Sequence, residues 1–257
     1  MDNKLLLRVL LPLGILTTLW YTISLVYSSP LIPSPREVLL ALIDLFYKHN
    51  LLSHLITTLL RVLAGFSLGI ITGIAIGITT ILSKIIRDTV YPVIAFIAVT
   101  PSFAFIPLLM IWIGLNDLLP ITVVAICVGF PLAYAIVSGA KSVDRDILDV
   151  ALTLGLHSWK LVRYIVLPLV LTHIASLLKL EAGHSWRLVF VTEYLALSSG
   201  LGYLMVQAYS LIRVDEIIAL IILLGILALA IQYFIEYIES KITSKWGYRG
   251  LGKYGQY

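Results

Sequence analysis

Residues 62–83 read VLAGFSLGIITGIAIGITTILS, a stretch without a single charged side chain. About 20 consecutive apolar residues in an α-helix are needed to cross the hydrocarbon core of a bilayer. Backbone polar groups in lipid must be bonded within the segment, and a barrel strand would alternate apolar and polar residues over about 10 positions. Because this stretch is continuously apolar, it predicts a membrane-spanning α-helix.

Similar stretches recur along the chain. A shorter one, Tyr164–Leu178, runs on into charged residues, and four others meet or approach the required length: Val9–Pro35, Thr89–Asn116, Leu118–Ala140 and Ile217–Ile235. The chain is 60% hydrophobic and 12% charged, whereas soluble domains are about 45–50% apolar and about 25% charged. We therefore expect an all-α, polytopic membrane helix bundle of about six transmembrane helices. It forms a single domain over residues 1–257 with its core at about 50–240.

The first stretch has an alternative interpretation as a cleaved signal peptide that starts with Lys4 and Arg8. It is longer than the apolar part of most signal peptides, and no small-residue cleavage site ends it. A retained first span is the favoured prediction.

Lysine and arginine positions predict the orientation of the bundle. With both termini in the cytoplasm and six crossings, twelve of these cations fall in cytoplasmic segments, three in outer segments and three within spans. Cytoplasmic loops of membrane proteins carry such an excess. The +4 net charge is therefore assigned to topology rather than to nucleic-acid binding, and we expect a multi-pass protein of the cell membrane.

Two segments outside the spans are predicted to be structured. Residues 30–50 contain three prolines and then an amphipathic stretch from Arg36 to Tyr47 on the outer side. The cytoplasmic connection, about residues 141–163, is too long to be a simple turn. It reads as an acidic helix that ends at Gly155, followed by a second short helix. A helix of this kind suits docking into a groove on a partner.

A glycine stripe marks the second span, in which Gly65, Gly69, Gly73 and Gly77 are four residues apart. Four such glycines share one helix face and allow close approach of another helix in lipid. Packing within the chain is the favoured interpretation, and a subunit interface is the alternative. The prolines of the third span, Pro92, Pro101 and Pro107, predict kinks.

Ionisable residues near the fifth span are the candidates for a translocation pathway. Lys179 and Arg187 share a helix face, and Glu181 and His184 lie on a neighbouring one. One hypothesis is that these cations line the pathway and favour an anion. The alternative is that Glu181 pairs with a cation and only ties helices together. Glu193 is a further pathway candidate that either pairs with Arg61 or sits at the outer mouth.

The cytoplasmic connection carries the most specific motif. Asp149, Ala151, Gly155, Ile165, Leu167 and Pro168 follow the spacing Glu-Ala-Ala, three residues, Gly, nine residues, Ile-x-Leu-Pro, with Asp149 in place of Glu and Val150 in place of Ala. In this respect the chain resembles the permease subunits of ATP-binding-cassette importers, in which this signature couples the permease to its ATPase. Leu167-Pro168 is expected to start the fifth span.

Further blocks resemble one subgroup, the nitrate, sulfonate, taurine and bicarbonate type. They are His54-x3-Thr58-x2-Arg61-x3-Gly65-Phe66, the segment around Thr100-Pro101 and Pro107, and Glu193 with Ser199-Gly-Leu-Gly-Tyr203. The resemblance covers about residues 30–240. It implies a type I importer fold and a pathway for a small anion or a related small organic solute.

Partners and chemistry follow from the resemblance. It implies a second copy of the chain, two cytoplasmic ATPase subunits that grip the coupling loop, and an extracytoplasmic solute-binding protein. ATP and magnesium would be held by the ATPase, so this chain is expected to be a transport subunit with no catalytic residue, cofactor or metal of its own. The tail from Gly247 to Tyr254 nearly matches a phosphate-binding loop but lacks its Ser or Thr and the following helix.

Two other classes of protein are alternatives at the level of the sequence. A stand-alone secondary transporter or channel would need no ATPase, and a secondary transporter should show an internal repeat, which we do not find. An intramembrane enzyme would need paired catalytic groups, which the sequence does not indicate.

Overall fold

The computed structural model describes residues 3–27 and 29–245, although the side chains of 3–10, 172, 173, 235, 236 and 238–245 are not described. Within these ranges the chain is helical and contains no strand. The helices are α1 (Asn3–Tyr27), α2 (Pro35–Lys48), α3 (Leu51–Leu82), α4 (Lys84–Val99), α5 (Phe105–Ile113), α6 (Leu118–Lys141), α7 (Arg145–Thr153), α8 (Ser158–Leu161), α9 (Leu167–Ala196), α10 (Leu201–Ser210) and α11 (Val214–Lys245). The glycine-rich tail from Gly247 lies outside the described residues.

Three of these helices are long and apolar enough to cross a bilayer as single elements: α3, α6 and the first 21 residues of α11. Two bent pairs bring the total to five, one made of α4 and α5 and the other of the helical run through α8 and α9. The apolar part of α1, Leu11–Tyr27, is shorter and would be the sixth. The predicted all-α membrane bundle is therefore confirmed, while its spans are less regular than expected.

The third predicted span is broken rather than kinked. Helix α4 ends at Val99, a short 3-10 turn follows at Ser102–Ala104, and α5 leaves at an angle of 98° to α4. The break falls at Thr100-Pro101, because the residue before a proline disfavours helical backbone and the proline itself has no N–H to donate. Pro92, by contrast, is accommodated inside α4.

The fifth predicted span, Tyr164–Leu178, is shorter at both ends than the helical run in the structure. The helical run begins at Ser158, passes through a π-helical turn at Val162–Val166 and continues in α9 to Ala196, with a bend of 61° between the parts before and after residues 172–173. Charged side chains from Lys179 to Glu193 therefore lie within α9 itself. Apolar content alone misplaced this span because its second half mixes charged and apolar residues.

Helices α3 and α6 pack in parallel along the glycine stripe. A Cβ added to Gly65 or Gly69 would lie 2.7 Å from the Cβ of Val124 or Val128 respectively, and one added to Gly73 would lie 2.6 Å from the carbonyl oxygen of Gly129. Such distances are too short for any real side chain, so only glycine allows this close approach. All four stripe glycines are buried against α6, including Gly77.

The predicted amphipathic helix is α2, which packs Val38, Ala41 and Leu45 into the core. Its start is a capping box, in which the Ser34 N–H donates to Glu37 over 2.6 Å and the Glu37 N–H donates to the Ser34 hydroxyl. The hydrogen bond from the Ser34 backbone lowers the pKa of Glu37. Since α2 contacts α11 and α3, it closes one end of the bundle.

Candidate functional site

The sequence-predicted residues fall in three separate places. The motif of the cytoplasmic connection forms α7 and the turn after it, Lys179 and Arg187 line a cavity between α9 and α11, and Glu193 lies in a buried polar network where α3 begins and α9 ends. Helix α7 follows the C-terminal end of α6, and α3 and α6 run in parallel. The first and third places are therefore at opposite ends of the bundle.

The Ala151 and Gly155 spacing is explained by the end of α7. The Leu156 N–H donates to the carbonyl of Ala151 and the Gly155 N–H donates to that of Leu152, both over 3.0 Å. These two bonds make a Schellman motif, which needs a left-handed residue after the helix. Gly155 has a φ of +81°, a conformation that costs other L-residues free energy.

An apolar groove runs along α7 and the residues after it. It has a volume of about 340 Å³ and is lined mostly by aliphatic side chains, with Ala151 at its buried base: Ile147, Val150, Ala151, Leu154, Leu156 and Ile165. Leu154 is 76% exposed and Val150 is 59% exposed, and Asp149 is exposed on the same short helix. An unpaired apolar surface of this kind is typical of a protein interaction site.

The last three motif residues belong to the helical run that follows. Ile165 lies in the π-helical turn and faces the groove, while Leu167 and Pro168 form the first turn of α9. Proline is well tolerated in a first helical turn. Leu167-Pro168 continues the run from Ser158 rather than starting the span after a loop, which corrects the expected boundary.

The second place is a cavity of about 480 Å³ between α9 and α11, here called the α9–α11 cavity. Lys179, Gly183 and Arg187 line it from one face of α9, and Ala228, Ile231 and Gln232 line it from α11. A Cβ added to Gly183 would meet nothing within 4 Å, so open space separates the two cations. Since two cations face one cavity, the arrangement favours an anion.

Glu181 and His184 lie elsewhere on α9. Glu181 is buried, its Oε2 atom has no hydrogen-bond partner, and the Nδ1 atom of His184 lies 3.6 Å from it. Neither residue lines the α9–α11 cavity. Arg187 nevertheless lies close enough to both residues to interact with them electrostatically.

Glu193 lies in the third place, where its side chain is fully buried. The Nη1 atom of Arg61 donates to its carboxylate over 2.7 Å, and Thr58 and the Gly202 N–H also donate to it. The other side of Arg61 binds Asp117. The structure thus pairs Glu193 with Arg61, which was one of the two alternatives, and a pathway role for Glu193 stays a prediction.

This network fixes the turn between α9 and α10. Arg61 donates to both the carbonyl and the hydroxyl of Ser199, and the Gly200 N–H donates to Nδ1 of His54 over 2.9 Å. Gly200 has a φ of +105°, and a Cβ there would overlap the Glu193 carboxyl. The network therefore explains in physical terms why glycine follows Ser199.

Sequence reasoning missed two members of the network. Asp117 and Ser199 were not linked to Arg61, because their partners are 56 and 138 residues away along the chain. The available signal was that Arg61 has five N–H donors but only one candidate carboxylate, Glu193, so further partners were to be expected. Among the described residues, no group of three or more His, Cys, Asp or Glu side chains is placed to hold a metal ion.

Comparison with protein families assigns the chain to one family. Residues 65–244 match the family described as the binding-protein-dependent transport system inner membrane component. The chain belongs to this family. It is therefore a membrane permease component of ABC importers, and the alternative of a stand-alone transporter is wrong.

Curated relatives cover nearly the whole permease. A protein of Methanocaldococcus jannaschii, named as an ABC transporter permease, is 30% identical over 93% of this chain and 91% of its own length. The taurine transport system permease protein of Escherichia coli K12 is 27% identical over 90% of this chain and 86% of its own. A Bacillus subtilis protein named for aliphatic sulfonate transport is also 27% identical.

Solved structures show the same fold. A chain of a bacterial ABC transporter involved in import of the acidic polysaccharide alginate superimposes with a TM-score of 0.65, covering 94% of the permease and 96% of itself at 17% identity. A chain of an amino acid ABC transporter gives a TM-score of 0.63 at 19% identity and covers 77% and 96%. The permease thus has the type I ABC importer fold.

Proposed function

We propose that this permease forms the pathway of an ATP-driven importer for a small organic anion of the sulfonate or taurine class. The observation that supports this most strongly is the α9–α11 cavity, where Lys179 and Arg187 face open space above Gly183. A sulfonate carries its charge on several oxygens, which suits guanidinium and ammonium donors. The taurine and sulfonate names of the relatives point to the same chemistry.

Cations inside a membrane helix carry a free-energy cost, which a role in an anion pathway would offset. Arginine or lysine at a helix centre costs roughly 2.5–3.5 kcal/mol on insertion scales, and such residues face a cavity or a partner. Arg187 is exposed in the single chain, so lipid contact would carry this cost. A water-filled path that attracts an anion would remove this free-energy cost.

The coupling partner is proposed to dock on α7. Each of two cytoplasmic ATPase subunits would bind to the apolar groove of one permease copy. Val150 and Leu154 would make the main apolar contacts. Because the ATPase holds ATP and magnesium, the permease itself needs no nucleotide site. A second copy of the chain would complete the pathway, and an extracytoplasmic solute-binding protein would deliver the solute.

Orientation is proposed with the α7 end in the cytoplasm and both termini on that side, on the basis of the lysine and arginine distribution. A variant with Cys127 replaced by Ser and a single cysteine in place of Leu154 tests this. When the variant is expressed without the ATPase, a membrane-impermeant thiol reagent should label it in inside-out vesicles and not in intact cells. Labelling in intact cells would show that the α7 end lies outside the cell, which is the opposite of the proposed topology.

Charge reversal tests the substrate pathway. In cells that express the permease with its ATPase and binding protein, Arg187→Glu should abolish uptake of labelled taurine or alkanesulfonate, because the cavity would then repel an anion. Arg36→Glu makes the same charge change outside the cavity, on an exposed part of α2, and should transport normally. Recovery of the ATPase with each variant shows that the complex still assembles.

The outcome separates the two interpretations of the α9 charges. Loss of uptake with an intact complex supports the pathway role. Normal uptake by Arg187→Glu would show that Lys179 and Arg187 serve only to hold helices together.

A further inference from the structure

A second basic cavity lies at the α7 end of the bundle, well away from the α9–α11 cavity. It has a volume of about 350 Å³ and lies where α3 and α6 end and where α4, α7 and α8 begin. We call it the α4–α7 cavity. Its size falls within the range of about 300–1,000 Å³ that is usual for small-molecule sites.

Three cations line the α4–α7 cavity, and each comes from a different helix. They are Arg87 of α4, Lys141 of α6 and Arg145 of α7, and the described lining residues include no carboxylate. The floor is apolar and buried, formed in part by Val137, Val162 and Val166. A basic rim over an apolar floor fits an anion that carries an apolar part.

Lys141 is held in place before any ligand binds. Its Nζ atom lies 3.7 Å from the centre of the Tyr91 ring, which stacks on Tyr134 with 5.7 Å between ring centres. Cation–π contacts of this kind position an ammonium. A lysine has three N–H donors, so one ring face leaves donors for an anion, and less side-chain entropy is lost on binding.

The carboxylate beside Arg87 makes an ion pair with it but no hydrogen bond. Asp88 is the neighbour of Arg87 in sequence, is 61% exposed and lies 3.8 Å from the Nε atom. That distance is too long for a hydrogen bond, so the fork of guanidinium donors is not used by this pair. Arg87 and Arg145 together offer the donor geometry that matches phosphate oxygens.

We propose that the α4–α7 cavity binds a phosphate-bearing anion that bridges α4 and α6 to the coupling helix α7. An anionic phospholipid headgroup and a soluble phosphate compound share this chemistry. Basic pockets between transmembrane helices on the cytoplasmic side are suited to anionic headgroups. This site is independent of the transported anion and rests only on the proposed orientation of α7.

Binding can be measured on the purified permease with its co-expressed ATPase. Native mass spectrometry would follow titration with phosphatidylglycerol, with phosphatidylcholine and with inorganic phosphate. The test variant is Arg87→Gln with Lys141→Gln. The control is Lys84→Gln, which removes an exposed cation from the start of the same helix but not from the cavity.

Wild type and Lys84→Gln should retain phosphatidylglycerol in preference to phosphatidylcholine. The double variant should bind it roughly 25-fold more weakly, since each of the two cations contributes about fivefold. Saturable binding of inorganic phosphate that the double variant loses, without a lipid preference, assigns the site to a soluble phosphate. Equal binding of both ligands by wild type and the double variant overturns the proposal. If the double variant does not insert, the single variants Arg87→Gln and Arg145→Gln should each bind phosphatidylglycerol about fivefold more weakly. Unchanged binding by both single variants would also overturn the proposal.

Discussion

At the residue scale, the buried network around Arg61 shows how a charge can be kept inside this bundle. Arg61 is almost fully buried, yet its guanidinium reaches Glu193, Asp117 and Ser199. Replacing a buried ion pair with apolar groups is often neutral, but removing one partner leaves an uncompensated charge. The loss of stability should therefore be largest when only one partner of the buried ion pair is removed.

Removal of the Glu193 carboxylate tests this. Glu193→Ala should lower the free energy of unfolding by about 3 kcal/mol, the lower end of the range for breaking buried pairs, because the exposed Asp117 still pairs with Arg61. The buried thiol of Cys127 reports unfolding when it reacts with a fluorescent dye during heating in detergent. The expected result is an earlier rise in dye signal.

Asp44→Asn provides the control, since it breaks the exposed pair in which Lys48 Nζ lies 2.9 Å from Asp44 Oδ2. Pairs of this kind contribute only about 0.3–0.5 kcal/mol. If Glu193→Ala and Asp44→Asn unfold at the same temperature as wild type, the buried network does not stabilise the fold as argued.

At the element scale, α7 is the part of the candidate site that the sequence predicted best. The acidic helix, its end at Gly155 and the short helix after it could be predicted because capping signals are local. The break between α4 and α5 could be predicted only as a kink at a proline, and the bend in α9 could not be predicted from the apolar pattern. The length of α9 was missed because its second half mixes charged and apolar residues.

The end of α7 offers a matched pair of substitutions. Gly155→Val should destabilise the Schellman turn by more than 1 kcal/mol, since a φ of +81° is unfavourable for a β-branched residue. It should therefore reduce ATP hydrolysis stimulated by the solute-binding protein. Gly155→Asn should retain most of that activity, because asparagine tolerates the left-handed conformation.

Neither substitution meets a steric obstacle, because a Cβ at Gly155 has nothing within 4 Å. Equal stimulation in the Val and Asn variants would show that the backbone conformation after α7 is not what coupling requires. The thermal profile of Cys127 should stay the same in both, since α7 lies outside the bundle core.

At the scale of the whole molecule, the membrane bundle and its family could be predicted from the sequence. Apolar stretches indicated an all-α membrane bundle, and the Ala151–Gly155–Pro168 spacing pointed to the permease family that the comparison confirmed. The grouping of the ionisable residues on α9 could be predicted in part, because helix periodicity puts Lys179 and Arg187 on one face. Whether Glu193 pairs with Arg61 or faces the outer mouth needed the structure.

In the proposed mechanism, α7 transmits the work of a partner ATPase to helices that line an anion path. Its exposed apolar surface is the part that a partner must cover. Leu154 is 76% exposed there, whereas Leu211 is 68% exposed in the turn between α10 and α11 at the opposite end. The two leucines are therefore a matched pair for the same substitution.

The most direct test is recovery of the co-expressed ATPase on a tagged permease. Wild type and Leu211→Asp should bring the ATPase down in equal amounts, and Leu154→Asp should lose it while still inserting into the membrane, because a carboxylate would be buried at the docking surface. Full recovery of the ATPase with Leu154→Asp would contradict docking at α7 and, with it, the proposed mechanism of transport.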